Sequence, residues 1–402
     1  MRDRRLANLR LGGLWHSPVV RAIIASRLLV LAAGVAGAGE TRRDMWHAFD
    51  LTQLSSSMGT VGNLLGAAAV RWDAIHYLDI ARHGYTAANT VFYPLYPLLM
   101  RIVSALTGSL PLAGGLVSLC AFVVALWLLA RVTEDELGPR AARATVVLLA
   151  FAPLAFFFTA VYTESLFLAL SLGCFHAARR DRWGLACGLG TLAALTRVTG
   201  VLLILPLAWM AWDARSARWR RLLALAVIPG ALLGYSAFLG LHGLDPLGPI
   251  KGEAVFGRVS AGPLGAVLLA LRSAAGGLWL LTAGPESIYG PTIHGPLSIG
   301  AESIELFLIL CGALWALRAA WRRLSRPLVA YAVAALAMCL WSPTLGQPLV
   351  SFDRYLLTIF PLWMVAGAWL SERESVRILV TAVSAALLGF YTFQFATWAF
   401  IA

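Results

Sequence analysis

Charge is what this 402-residue chain has least of: 13% of its residues are charged against 59% hydrophobic, and the mean hydropathy is +0.76. That balance excludes a soluble globular surface and describes an all-α polytopic membrane protein. Lysine is nearly missing, with Lys251 alone beside abundant arginine; together with enrichment in Ala, Leu and Gly this points to a high-GC bacterial genome. Cysteine is sparse as well. Cys120, Cys174, Cys187, Cys311 and Cys339 all lie in apolar segments, without the spacing of a disulfide framework or a thiolate metal site, and read as small buried hydrophobes. No small-residue cleavage pattern follows the first apolar run, which reads as a retained helix. The net charge of +12 does not form a nucleic-acid groove, because the basic residues are not interleaved with aromatics; no nucleic-acid partner is expected.

The basic residues instead punctuate apolar runs. Taking about 20 apolar residues per crossing, spans are expected near 19–38, 110–131, 143–162, 165–178, 183–196, 198–212, 222–242, 301–317, 327–342, 355–371 and 376–396. That makes about eleven crossings in a single multispanning domain, 1–402. Arg2, Arg4, Arg5 and Arg10 precede the first span and place the N-terminus in the cytoplasm. Arg140/Arg143, Arg179 to Arg182, Arg215 to Arg221 and Arg318 to Arg326 then fall on the same side. The first long loop, 39–109, and the interval 243–300 fall on the extracytoplasmic side, together with Tyr162 to Ser165, Arg197 and Ser342 to Arg354. Counting the apolar piece 263–283 as a crossing would put Arg318 to Arg326 outside, so it is expected to be a re-entrant or interfacial helix. Gly284 to Gly300, rich in Gly and Pro, reads as a mobile cover over a lipid-facing cavity, with an ordinary interfacial loop as the alternative.

The most patterned polar stretch is Arg71 to Tyr85, RWDAIHYLDIARHGY. As a helix it places Asp73, His76 and Tyr77 at i, i+3 and i+4 on one face, where a carboxylate could serve a substrate. The plainer reading is an interfacial helix with Trp72, Tyr77 and Tyr85 among lipid headgroups. Glu164 opens a helix after Phe156-Phe157-Phe158, a position where the helix dipole alone favours a negative charge. Arg197 interrupts two apolar runs, where an unpaired guanidinium is costly; it pairs with Glu164 or binds a phosphate.

Trp72 to Tyr85, read as WDAxxYxxIAxxGY, followed by Phe92-Tyr93-Pro94-Leu95-Tyr96-Pro97, resembles the GPI mannosyltransferase II (PIG-V) family of GT-C glycosyltransferases. The resemblance continues through Tyr162 to Phe167, Thr196 to Gly200 and Phe352 to Leu357 leading into Pro361. The chain departs from the family's Arg-Ser-Asn-Gly segment, with Arg197-Val198-Thr199-Gly200 in its place. A bacterial branch of the family is expected from the composition, so no GPI pathway is assumed. The resemblance implies a GT-C fold in a bacterial plasma membrane and a polyprenyl-phosphate mannose donor used on the extracytoplasmic side, with inversion. The acceptor would be a glycolipid, an envelope glycan or a protein.

By matching position Asp73 is the implied general base, with Glu164 orienting the acceptor or supporting the site. Trp72, His76, Tyr77, His83, Arg197, Asp353 and Arg354 are the candidate substrate contacts, and Arg197 and Arg354 the candidate phosphate partners. No cofactor is implied. A divalent metal held by Asp73, His76 and Asp79 stays open, but a helix turns Asp79 away from Asp73, so metal-independent activity is expected. The alternative from another class is a transporter or flippase of a lipid-linked solute using Arg197 and Glu164; it predicts internal repeats, and none is convincing.

Overall fold

The computed structural model describes residues 18–40, 50, 53–214, 217–252, 257–283 and 296–401. The Arg2 to Arg10 cluster and most of the expected cover, 284–295, lie outside the described residues, as do Arg215 and Ser216. The described chain is almost wholly helical: α1 (Pro18–Gly39), α2 (Asp73–His83), α3 (Leu95–Thr107), α4 (Leu110–Ala150), α5 (Glu164–Arg179), α6 (Trp183–Ala194) and α7 (Ile204–Asp213). There follow α8 (Val227–Leu241), α9 (Gly262–Ala283), α10 (Pro296–Arg323), α11 (Arg326–Cys339), α12 (Phe352–Leu356), α13 (Phe360–Ser371) and α14 (Glu374–Ala396). Among the described residues six helices are long and apolar enough to cross a membrane, and five further apolar helices are shorter. The outward surface carries leucines and tryptophans such as Leu233, Leu264, Leu308 and Trp321, the side chains a bilayer accepts.

Three expected spans differ in how they are built. The run expected at 110–131 continues to residue 137, where Gly138 (φ 85°) breaks α4 ahead of Pro139. The run expected at 143–162 stays helical only to Ala150. Pro153, without an N–H, interrupts the ladder, and residues 151–163 leave the α-helix, with one 3₁₀ turn at Ala155–Phe158, yet are nearly all buried, with Phe156, Phe157 and Phe158 at 0% exposure. Such backbone survives at membrane depth only if its polar groups find partners inside the protein. Arg27 of α1 supplies them, donating to the carbonyls of Ala150 and Ala155 and to Thr159 Oγ1. Val161 N–H donates to Ala69 C=O, and Ser165 Oγ to Phe158 C=O. The span expected at 355–371 is likewise split, into α12 and α13, ahead of Pro361.

The segment expected to be re-entrant or interfacial, 263–283, is a continuous helix of 22 residues, α9. It packs antiparallel on the first turns of α10, with Gly277 against Gly300 and Ser273 Oγ donating to Ser303 Oγ. Its start is tied to α11 by Gly262 N–H to Trp341 C=O. At one end of the bundle Arg179 and Ser325 bond Glu136, and Arg323 pairs with Glu372. From there α14 rises about 34 Å over its 23 residues to reach Arg71 at the other end, beside Asp73.

Candidate active site

Asp73 is the first residue of α2, where the helix dipole favours a carboxylate. The residue before it, Trp72, has φ 55° and ψ −118°, a conformation that L side chains rarely adopt. Tyr162, from the irregular segment, spans this turn with one hydroxyl: it donates to Arg71 C=O at 3.1 Å and accepts from Asp73 N–H at 3.2 Å. The break in the expected span 143–162 is therefore what brings a buried tyrosine under the carboxylate.

Three segments then meet over Asp73. Arg354 of α12 donates from Nη1 to Asp73 Oδ2 at 3.0 Å, and its Nε lies 3.6 Å from Glu164 Oε1. Arg197, between α6 and α7, donates to Glu164 Oε1 at 2.8 Å and to Thr163 Oγ1 at 3.3 Å. The two carboxylates differ in access: the Asp73 side chain is 33% exposed and that of Glu164 1%. Glu164 thus fixes two guanidiniums, and its buried Oε2 has no hydrogen-bond partner among the described residues. Asp73 faces open space.

That space is a cavity of about 350 Å³ walled by Asp73, Tyr162, Glu164, Arg197, Arg258 and Arg354. Beside it lies a more apolar chamber of about 500 Å³, walled by Phe167, Tyr331, Met338, Trp341 and Ile359. Tyr93, Arg197, Val198, Arg258 and Tyr355 line both. At the junction the Tyr355 ring lies 5.4 Å from the guanidinium of Arg197, 5.7 Å from that of Arg258 and 5.3 Å from that of Arg354. Arg258 donates to Ser342 C=O and to Tyr355 Oη, both at 3.0 Å, and has no carboxylate partner among the described residues. It is held there by an antiparallel bridge to Thr344 and by Val259 N–H to Pro343 C=O. Three guanidiniums against two carboxylates leave positive charge for an anionic group.

The sequence-selected residues therefore divide. Asp73, Tyr77, Glu164, Arg197 and Arg354 line the polar cavity. Trp72 and His76 stand behind its wall: His76 stacks on Phe92 at 4.7 Å and Trp72 packs edge-on against Phe400 at 5.3 Å, both partners being wall residues. Asp353 accepts from the backbone N–H of Arg354 and does not line the cavity; burial pushes its carboxyl up to about 7, with Glu305 and Glu302 adding to the rise. His83, at the far end of α2, bonds Asp79 at 2.9 Å on the exposed side and does not reach the cavity. Asp79 is also bonded by Asn89, away from Asp73, and among the described residues no three His, Cys, Asp or Glu side chains converge as a metal site. Arg258 was missed; its one signal was an arginine ahead of the apolar piece in the long interval 243–300, which also holds Arg272.

The chain matches the family model described as mannosyltransferase (PIG-V) over residues 19–213. It is 33% identical to the GPI alpha-1,6-mannosyltransferase 2 of Cricetulus griseus over 171 residues, 38% of this chain and 34% of that protein. It is 35% identical to the Mus musculus protein of the same name over 156 residues, 35% of this chain and 31% of that protein. The chain thus spans about a third of the length of the curated relatives it matches. Among solved structures, an Archaeoglobus fulgidus oligosaccharyltransferase is similar at a TM-score of 0.49 and 13% identity, over 95% of this chain and 53% of that one. Residues 19–213, the stretch that carries Asp73, Glu164 and Arg197, are thus similar to the mannosyltransferase (PIG-V) family.

Proposed function

We propose that this chain is an inverting glycosyltransferase of GT-C type, moving a mannosyl group from a polyprenyl-phosphate donor to an acceptor hydroxyl at the extracytoplasmic face. The observation that carries the reading is the pairing of one accessible carboxylate, Asp73, with a guanidinium cluster that opens into an apolar chamber. An isoprenoid fits the apolar chamber, its phosphate the junction at Arg258 and Arg197, and the sugar the polar cavity. The acceptor hydroxyl attacks the anomeric carbon as Asp73 takes its proton, and the bond from that carbon to the phosphate oxygen breaks on the opposite face. The lipid phosphate leaves with the bonding pair, and preplaced guanidiniums meet the charge that develops on it without changing protonation. Glu164 supports the site from beneath, through Arg197 and through Arg354, which links it to Asp73. Mannose as the sugar rests on the family. Neither the family match nor a site gathered at one end of the bundle supports the transport alternative.

The test is transfer of radiolabelled mannose by purified protein to a membrane glycolipid and protein extract. The expected result is label moved from synthetic polyprenyl-phosphate mannose and none from a nucleotide-activated mannose. Transfer from the nucleotide sugar alone would overturn the donor assignment.

A further inference from the structure

The strained turn at Trp72 is held from two sides, and only one of them is the Tyr162 hydroxyl. The other is the last described stretch of chain. Helix α14 ends at Ala396, and Trp398, fully buried with φ 68°, turns the chain back toward Asp73. The carbonyl of Ala396, at the end of α14, accepts from Arg71 Nε at 3.1 Å, and the Arg71 guanidinium sits 4.8 Å over the Trp398 ring. The carbonyl of Ala399 accepts from the Trp72 indole N–H at 3.1 Å. Edge-on contacts of Trp72 with Trp398 at 6.0 Å and with Phe400 at 5.3 Å complete the grip, and Phe400 lines the same cavity as Asp73.

A residue in a sparsely populated backbone region persists only where its surroundings over-determine it, and such residues gather at working sites. Here the surroundings are a long-range junction more than 300 residues apart in sequence, since the hydrogen bond from Trp72 to Ala399 spans 327 positions. We infer that residues 397–401 are a positioning clamp for Asp73, holding Trp72 in the turn that aims the carboxylate into the cavity and closing the cavity wall with Phe400. The inference rests on the reading of Asp73 as the base for its effect on turnover, while its geometric part stands apart from that reading.

The test uses two substitutions in the full chain. Trp72→Phe keeps an aromatic ring but removes the indole donor, and Phe400→Ala removes the ring that closes the wall. The readout independent of activity is hydrogen exchange at the amides of Asp73, Ala74 and Ile75, which donate to Tyr162 Oη, Arg71 C=O and Trp72 C=O. The clamp predicts exchange about tenfold faster there in each variant, a local loosening on the order of one hydrogen bond, with α5 amides unchanged. Turnover should fall by a similar factor with donor half-saturation unchanged. Unaltered exchange at those amides overturns the clamp, as does acceleration spread evenly over α2, α5 and α14 with a lowered melting temperature, which marks mere structural support. If the wild type transfers no sugar, the functional reading fails, and the exchange result still decides the clamp.

Discussion

Tyr162 is the residue whose removal separates geometry from chemistry most cleanly. Among the described residues its hydroxyl bonds none of the five charged side chains of the cavity but pins the backbone on both sides of Trp72. Tyr162→Phe should cost about 1 kcal/mol of stability and lower turnover at least about tenfold, because a misplaced reactive group is expensive; melting in detergent and single-turnover rates check both. Glu164 and Arg197 make the opposite case. Removing one partner of a buried pair leaves an uncompensated charge, so Arg197→Ala should destabilise by about 3–5 kcal/mol, while Glu164→Gln with Arg197→Gln recovers part of the loss in thermal unfolding. Burial pushes the Asp353 carboxyl up to about 7 in the folded chain, from 3.8 for a free side chain. The folded state then favours the protonated form, so the stabilisation is full below pH 3.8 and is lost as pH rises through about 7. Melting temperature followed from acid to neutral pH should show that decline in the wild type, and Asp353→Asn should flatten it.

At the scale of elements, the sequence shows where helices begin more readily than where spans break. The carboxylate at the head of α2 was legible because it lies in a conspicuous polar stretch, and the one opening α5 and the arginine between α6 and α7 because each is a charge interrupting an apolar run. The break at 151–163 was not, since Phe156-Phe157-Phe158 keeps hydropathy high through irregular backbone and its stabilising partner, Arg27, lies over 120 residues away, at a separation of 123 from Ala150. Arg258 and Phe400 were hidden for the same reason: their roles depend on contacts with Tyr355 and Trp72 that no local spacing encodes. His83 shows the converse. It shares the conspicuous polar stretch with Asp73, but its helical spacing to Asp79 satisfies it locally and keeps it out of the cavity. Gly200 tests how tightly an element sets the site. A Cβ there would lie 2.4 Å from the backbone of Ala193 and Ala194, so Gly200→Ala must push the 3₁₀ turn Val198–Leu203 off α6, moving Arg197. A loss of about 1–3 kcal/mol is expected, together with weakened donor binding, read by melting and by half-saturation for the lipid donor.

Over the whole molecule, polar groups divide between two ends. Glu136, Arg179, Ser325, Arg323 and Glu372 gather at one, and Asp73, Glu164, Arg197, Arg258 and Arg354 at the other, with α14 spanning about 34 Å between them. This separation was legible from the basic clusters, whereas the exact division of the apolar runs was not, because α5, α6, α11 and α13 are shorter than a bilayer crossing and lean on their neighbours. In a cysteine-free background, Arg373→Cys and Ala87→Cys should react with an impermeant maleimide from opposite faces of sealed vesicles, and labelling of both from one face would contradict the arrangement. The central claim is that Asp73 takes the acceptor proton, and single-turnover transfer from polyprenyl-phosphate mannose by wild type and Asp73→Asn tests it most directly. The account predicts a rate lower by at least about 10²-fold with donor binding and melting temperature retained; transfer at the wild-type rate by Asp73→Asn would contradict it.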